Sequence, residues 1–169
     1  MTSQIEVDIR LLSEQLGAFL AERGLVVGTA ESCTGGWIAQ SITAVPGSSD
    51  WFHSGFVTYS NQSKVEQLGL DPDLIDQHGA VSKVVVENMV NGLLDRTTAN
   101  CAIATSGIAG PSGGTTDKPV GTVWISVGDK AKGPMTRKFL FAGDREGVRY
   151  QSVLESFRLL ELFLTQSKL

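Results

Sequence analysis

Short apolar runs of strand length, alternating with segments of helical periodicity, constrain this chain more than any other feature. Residues 25–30 and 101–105 are nearly unbroken apolar runs, the pattern of strands covered on both faces. Residues 55–60, 121–127 and 136–141 predict three more strands, the last two as antiparallel neighbours joined through residues 128–134. Between them, Ile5, Ile9, Leu12, Leu16, Phe19 and Leu20 recur at three- and four-residue steps, and Gly24 closes that helix. A second helix runs from Trp37 to about Val45 and stops at Pro46-Gly47, with Ser48-Ser49-Asp50 capping a short turn. Asn61 caps a helix carrying Lys64, and Asp71-Pro72 opens a short one. Ser82 starts a longer helix that buries Val85, Val86, Met89, Val90, Leu93 and Leu94, and a last helix covers about 144–166. Helices alternating with buried strands imply one α/β domain over residues 1–169, a three-layer α/β/α sandwich with a largely buried mixed sheet.

Composition narrows the function classes. The chain has 169 residues, 41% hydrophobic and 19% charged, enough for a packed core without a disordered block. A formal charge of −4 argues against nucleic-acid binding, which needs a basic face. Cys33 and Cys101 stand far apart in no metal-type spacing, so a reducing, cytoplasmic setting is expected rather than a disulfide framework. The first residues carry Glu6, Asp8 and Glu14 where a secretion signal would be basic. No apolar run approaches the roughly 18 residues that span a bilayer, so no membrane association is expected.

The segment Thr29-Ala30-Glu31-Ser32-Cys33-Thr34-Gly35-Gly36 delivers Ser32 from a strand end to a helix start. Ser32 reads either as a nucleophile or, more plainly, as an N-cap. In the first reading the N–H groups of Cys33, Thr34 and Gly35 face an oxyanion or bound anion, and Gly35 and Gly36 admit close approach of a ligand. Glu31 reads as a hydrogen-bond acceptor or ligand contact, and Cys33 as a small buried side chain. A serine nucleophile needs a base. Neither His53 nor His78 sits in a triad or metal signature, and His78 before Gly79 suits a helix C-terminus. Lys64 remains: it serves if burial and nearby positive charge pull its pKa down from about 10.4, and is otherwise a solvated helix residue. After the strand at 101–105, Ser106-Gly107-Ile108-Ala109-Gly110-Pro111 reads equally as a turn or as a phosphate loop. It is neither a Walker loop nor a dinucleotide fingerprint, and Ala104 breaks the nucleophile-elbow pattern. Arg145 and Arg149 add positive charge near the last helix, and residues 112–119 form an exposed loop.

Taken together, Ala30-Glu31-Ser32-Cys33-Thr34-Gly35-Gly36, Pro46-Gly47-Ser48-Ser49, Gly55-Phe56-Val57-Thr58-Tyr59-Ser60-Asn61 with Lys64, His78-Gly79-Ala80-Val81-Ser82, Ser106-Gly107-Ile108-Ala109-Gly110-Pro111, Lys118-Pro119-Val120-Gly121-Thr122-Val123 and Gly143-Asp144-Arg145 resemble the CinA C-terminal domain family over nearly the whole chain. The resemblance implies hydrolysis of the carboxamide of nicotinamide mononucleotide to nicotinic acid mononucleotide and ammonia, by a Ser/Lys pair and without metal or cofactor. On that footing Ser32 is the expected nucleophile, with Lys64 as its base and Tyr59 and Ser49 orienting Lys64 or relaying its proton. Ser48 and Ser49 stay open as rival nucleophiles. Glu31, Thr34, Gly35 and Gly36 are expected to contact substrate, and Thr105, Ser106, Gly107 and Arg145 to receive its phosphate. A homodimer or higher homo-oligomer follows from base rates and the apolar helix surface. The rival reading is a non-catalytic module that binds a nucleotide or a partner protein.

Overall fold

The computed structural model describes the backbone of residues 4–166 and side chains from residue 7 onward, so the side chain of Ile5 lies outside the described residues. Helix α1 (Gln4–Glu22) leads to β1 (Val27–Glu31), α2 (Trp37–Thr43), a single 3-10 turn (Ser48–Asp50), β2 (Phe52–Val57), α3 (Asn61–Leu68), α4 (Pro72–His78) and α5 (Lys83–Arg96). Strand β3 (Cys101–Gly107), β4 (Thr122–Asp129), β5 (Gly133–Leu140) and α6 (Arg145–Thr165) complete it. The sheet has five strands in the order β2-β1-β3-β4-β5, with β1 parallel to both neighbours and β4 and β5 added antiparallel. The expected α/β class and mixed sheet are observed.

Two apolar clusters cover the sheet. One joins Leu16 and Leu20 of α1, Ile38 and Ile42 of α2 and Phe157 and Leu160 of α6 to sheet residues such as Ile103 and Ile125. The other joins α3, α4 and α5, including Leu68, Ile75, Met89 and Leu93, to Ala30, Ala102 and Ala104. The small residues on that second face let α5 lie close to the sheet. All six apolar residues expected on the buried side of α5 are buried there.

Several boundaries move. Strand β2 begins at Phe52 and ends at Val57, three residues earlier at each end than the expected 55–60. The carbonyl groups of Thr58, Tyr59 and Ser60 turn towards the Lys64 side chain instead of a neighbouring strand. Ser60, not Asn61, caps α3, its Oγ accepting the Ser63 N–H at 3.0 Å. Strand β1 shifts to Val27–Glu31, β3 runs on to Gly107, and α2 stops at Thr43. Strands β4 and β5 extend into the expected loop and leave residues 130–132 as the turn.

The chain crosses β1 between β2 and β3, so these strands form a topological switch point, and the carboxyl ends of all three open on one edge of the sheet. Ligand sites of open α/β sheets lie at such an edge. Lys64 reaches it from α3, which α5 holds in place at Gly92. A Cβ on Gly92 would collide with the carbonyl oxygen of Leu68 at the end of α3. Gly92→Ala gains about 1 kcal/mol of helix propensity but incurs an overpacking cost of about 1–3 kcal/mol against backbone that cannot rotate away. The expected result is a melting midpoint lowered by up to roughly 8 °C, checked by thermal unfolding.

Candidate active site

At the carboxyl edge of the sheet a cavity of about 230 Å³ is lined by Ser32, Cys33, Tyr59, Lys64, Ala80, Val81, Ser106, Gly107, Ala109 and Arg145. Ser32 follows the last residue of β1, Tyr59 lies two residues past β2, and Ser106 and Gly107 end β3. Three strand ends and α3 therefore converge on one volume.

Lys64 is fully buried. Its Nζ lies 3.2 Å from Ser32 Oγ and 2.8 Å from the Thr58 carbonyl oxygen, with the carbonyls of Tyr59 and Ser60 at 3.4 and 3.5 Å. Among the described residues no carboxylate pairs with it, and desolvation pulls the amine down to about 8. The Cys33 thiol beside it is pushed up to about 12, chiefly by burial. A thiol in that state is not a nucleophile at neutral pH. The Ser32 hydroxyl and the Lys64 amine are the pair in the cavity placed to exchange a proton.

The turn after Ser32 departs from expectation. Helix α2 does not start at Ser32; residues 33–36 form turns, and α2 begins at Trp37 after Gly36 with φ 92°. Gly35 is also left-handed, at φ 61°, a conformation open to glycine at little cost. Glu31 is fully buried and its carboxylate caps α2: Oε2 accepts the N–H groups of Gly36 and Ile38 at 3.0 Å, and Oε1 that of Ala39 at 2.8 Å. The Thr29 hydroxyl adds a fourth donor at 3.2 Å. The Gly35 N–H donates to the Ser32 carbonyl at 3.0 Å. The donors of Gly35 and Gly36 are therefore spent inside the protein, and Glu31 faces backbone rather than the cavity. Among the described residues no oxygen accepts the N–H groups of Cys33 or Thr34.

Other expected site residues separate into two groups. Ser106 and Arg145 line the cavity: Ser106 Oγ donates to the Ala80 carbonyl at 2.8 Å, and Arg145 donates to the Gly110 carbonyl at 2.8 Å and to the Tyr59 hydroxyl at 2.9 Å. Tyr59 meets Lys64 through its carbonyl, not its ring. Thr34 and Thr105 share a buried hydroxyl–hydroxyl contact of 2.9 Å, so their side chains are turned to each other and not to the cavity. Ser49 is exposed on the 3-10 turn that enters β2. Since Phe52 pairs with Val27 and Val57 with Glu31, that turn lies at the amino end of β1, roughly 15 Å of strand away from Ser32. Ser48 belongs to the same turn, so neither serine joins the site within this chain. Neither histidine lines the cavity; His53 Nδ1 lies 2.8 Å from Ser54 Oγ, and the His78 carbonyl accepts from Lys118. Ala80, Val81 and Ala109 line it unforeseen, because small apolar residues in a connection carry no chemical signal of their own.

Among the described residues no group of three or more His, Cys, Asp or Glu side chains could hold a metal ion, and no helix is long and apolar enough to cross a membrane. Comparison with known proteins points one way. The CinA C-terminal domain family matches residues 10–164. Nicotinamide-nucleotide amidohydrolase PncC of Escherichia coli (strain K12) is 48% identical over 153 residues, covering 90% of this chain and 93% of that one. The protein of the same name from Pseudomonas putida is 52% identical over 146 residues, covering 86% and 91%. In three dimensions the competence/damage inducible protein CihA from Agrobacterium tumefaciens is similar at a TM-score of 0.90 and 36% identity, over 93% of this chain and 96% of that one.

Two outcomes follow from this geometry. Between about pH 8, where folded Lys64 loses its proton, and about pH 10.4, where an unfolded lysine does, the unfolded chain binds the extra proton. Stability relative to Lys64→Met should therefore rise with pH across that window, by at most about 3 kcal/mol, in denaturant melts at several pH values. Glu31→Gln replaces an acceptor oxygen by an amide NH2 and orphans a buried donor. It should destabilise by about 1–3 kcal/mol, read as a lower denaturant midpoint at unchanged slope.

Proposed function

The chain belongs to the CinA C-terminal domain family, and we propose that it is a C–N hydrolase that converts nicotinamide mononucleotide and water to nicotinic acid mononucleotide and ammonia. Its relatives from Escherichia coli and Pseudomonas putida bear the name of that activity. The single observation that carries a mechanism is the 3.2 Å contact between Lys64 Nζ and Ser32 Oγ inside the cavity.

A neutral amine has two N–H donors and one lone pair. The Thr58 carbonyl at 2.8 Å takes one donor, and the Tyr59 or Ser60 carbonyl takes the other. The lone pair is left for the Ser32 hydroxyl, which then donates to Lys64. With a pKa of about 8, roughly a tenth of Lys64 is neutral at pH 7, and a pyridinium cation in the cavity raises that share by like-charge repulsion. Lys64 takes the Ser32 proton as Oγ attacks the carboxamide carbon. The unclaimed N–H groups of Cys33 and Thr34 serve the oxyanion, in place of the helix start that Glu31 occupies. Lys64 returns the proton to the leaving nitrogen, the C–N bond breaks and ammonia departs. Lys64 then takes a proton from water, which attacks the Ser32 ester, and reprotonates Ser32 as the acid leaves. Arg145, Ser106 and Gly107 receive the ribose phosphate; Arg145 has five donors, of which the protein's own acceptors take only part.

Ammonia release from nicotinamide mononucleotide tests this reading. Wild type should be active with or without a chelator, and kcat/KM should climb with pH to a half-maximum near 8. Ser32→Ala and Lys64→Met should each lose activity by at least about 10²–10⁴-fold, while Ser49→Ala retains it. An active Ser32→Ala beside an inactive Ser49→Ala would overturn the assignment of the nucleophile. A folded wild type that binds the mononucleotide without releasing ammonia would make the chain a binding module.

A further inference from the structure

Arg149, in the second turn of α6, takes no part in the proton path above and does not line the cavity. Its Nε donates to the carbonyl oxygen of Cys33 at 3.1 Å, and its terminal NH2 to that of Thr34 at 2.8 Å. These are the carbonyls of the two residues immediately after Ser32, in the peptides that carry the Thr34 and Gly35 N–H groups. The same guanidinium lies 5.2 Å from the ring centroid of Trp37, the first residue of α2. Among the described residues it forms no ion pair, so both contacts go to neutral carbonyls.

A trans peptide holds its carbonyl and its N–H on opposite sides. Tying the Cys33 carbonyl to Arg149 therefore turns the Thr34 N–H away from the guanidinium. Tying the Thr34 carbonyl does the same for the Gly35 N–H, which meets the Ser32 carbonyl at 3.0 Å. The turn has little stiffness of its own, since Gly35 and Gly36 lie within it. Glu31 fixes its far end, at Gly36, and the Trp37 N–H donates to the Thr34 carbonyl at 3.2 Å, but among the described residues only Arg149 donates to the Cys33 carbonyl. A planar fork with two donors at fixed spacing suits two successive carbonyls, and a lysine offers only one point charge.

We propose that Arg149 is a positioning residue for amide hydrolysis: by holding the Cys33 carbonyl, with that of Thr34 beside it, it aims the Thr34 N–H at the developing oxyanion. The inference rests on the reading of Ser32 as nucleophile. It places the contribution of Arg149 in the transition state and none in ground-state binding.

The experiment measures kcat and KM for nicotinamide mononucleotide in Arg149→Met and Arg149→Lys, with thermal melts, and repeats Arg149→Met with added guanidinium ion. We expect kcat to fall about 10- to 100-fold, with KM and the pH midpoint unchanged. Arg149→Lys should recover a small part of the loss, and guanidinium ion a larger part. A raised KM at steady kcat would make Arg149 a substrate contact and overturn the inference. So would a loss that follows the melting temperature and resists guanidinium. Ser32→Ala separates the two levels: if it is inactive while Arg149→Met keeps full kcat, only the role of Arg149 fails. If Ser32→Ala keeps full activity, the reading of the site fails first.

Discussion

An amine buried without a carboxylate is the constraint around which this molecule is arranged. Lys64 has no exposed surface, and among the described residues its amine hydrogen-bonds to carbonyl oxygens and one hydroxyl. A charge in that position is costly, so the protein tolerates the residue by lowering its proton affinity and by turning three consecutive carbonyls towards it. Those carbonyls are what end β2 early, and the serine that follows Tyr59 caps the helix on which Lys64 rides. Strand end, helix start and buried amine are thus one local solution to one electrostatic problem.

A second buried charge performs the complementary task. Glu31 satisfies three N–H groups at the start of α2 and one hydroxyl, and so fixes the turn that carries Ser32. The lysine meets carbonyl oxygens and a hydroxyl, and burial lowers its proton affinity; the glutamate is surrounded by donors and holds a helix start. Glu31 ends β1 and Lys64 rides on α3 at the same edge of the sheet; Lys64 lines the cavity, whereas Glu31 faces the start of α2.

The sequence carried the layered fold because its signals are short-range. The buried face of α5 obeys the 3.6-residue period, and the runs in β1 and β3 are too apolar for exposed structure. Strand β2 was misplaced because it is an edge strand of alternating burial whose end depends on a lysine in the next helix. Ser32 and Lys64 stood out as chemistry, but the contact between them spans 32 residues and needs the parallel pairing of β1 and β2. Glu31 looked like a ligand contact because a carboxylate beside a serine has the same letters whether it faces a substrate or a helix start. Arg149 was visible only as a charge, since its acceptors are main-chain oxygens more than a hundred positions away.

The capping of α2 by Glu31 has a consequence for recognition. In many phosphate-binding folds the anion is held by a helix start, an attraction written into the backbone and indifferent to side-chain substitution. Here that seat is already taken by the protein's own carboxylate. On the reading proposed above, the anionic end of the ligand is held instead by an exchangeable side chain, Arg145, whose pull weakens with ionic strength. The reacting centre and the means of choosing a ligand are therefore separable in evolution: one can drift while the other stays fixed.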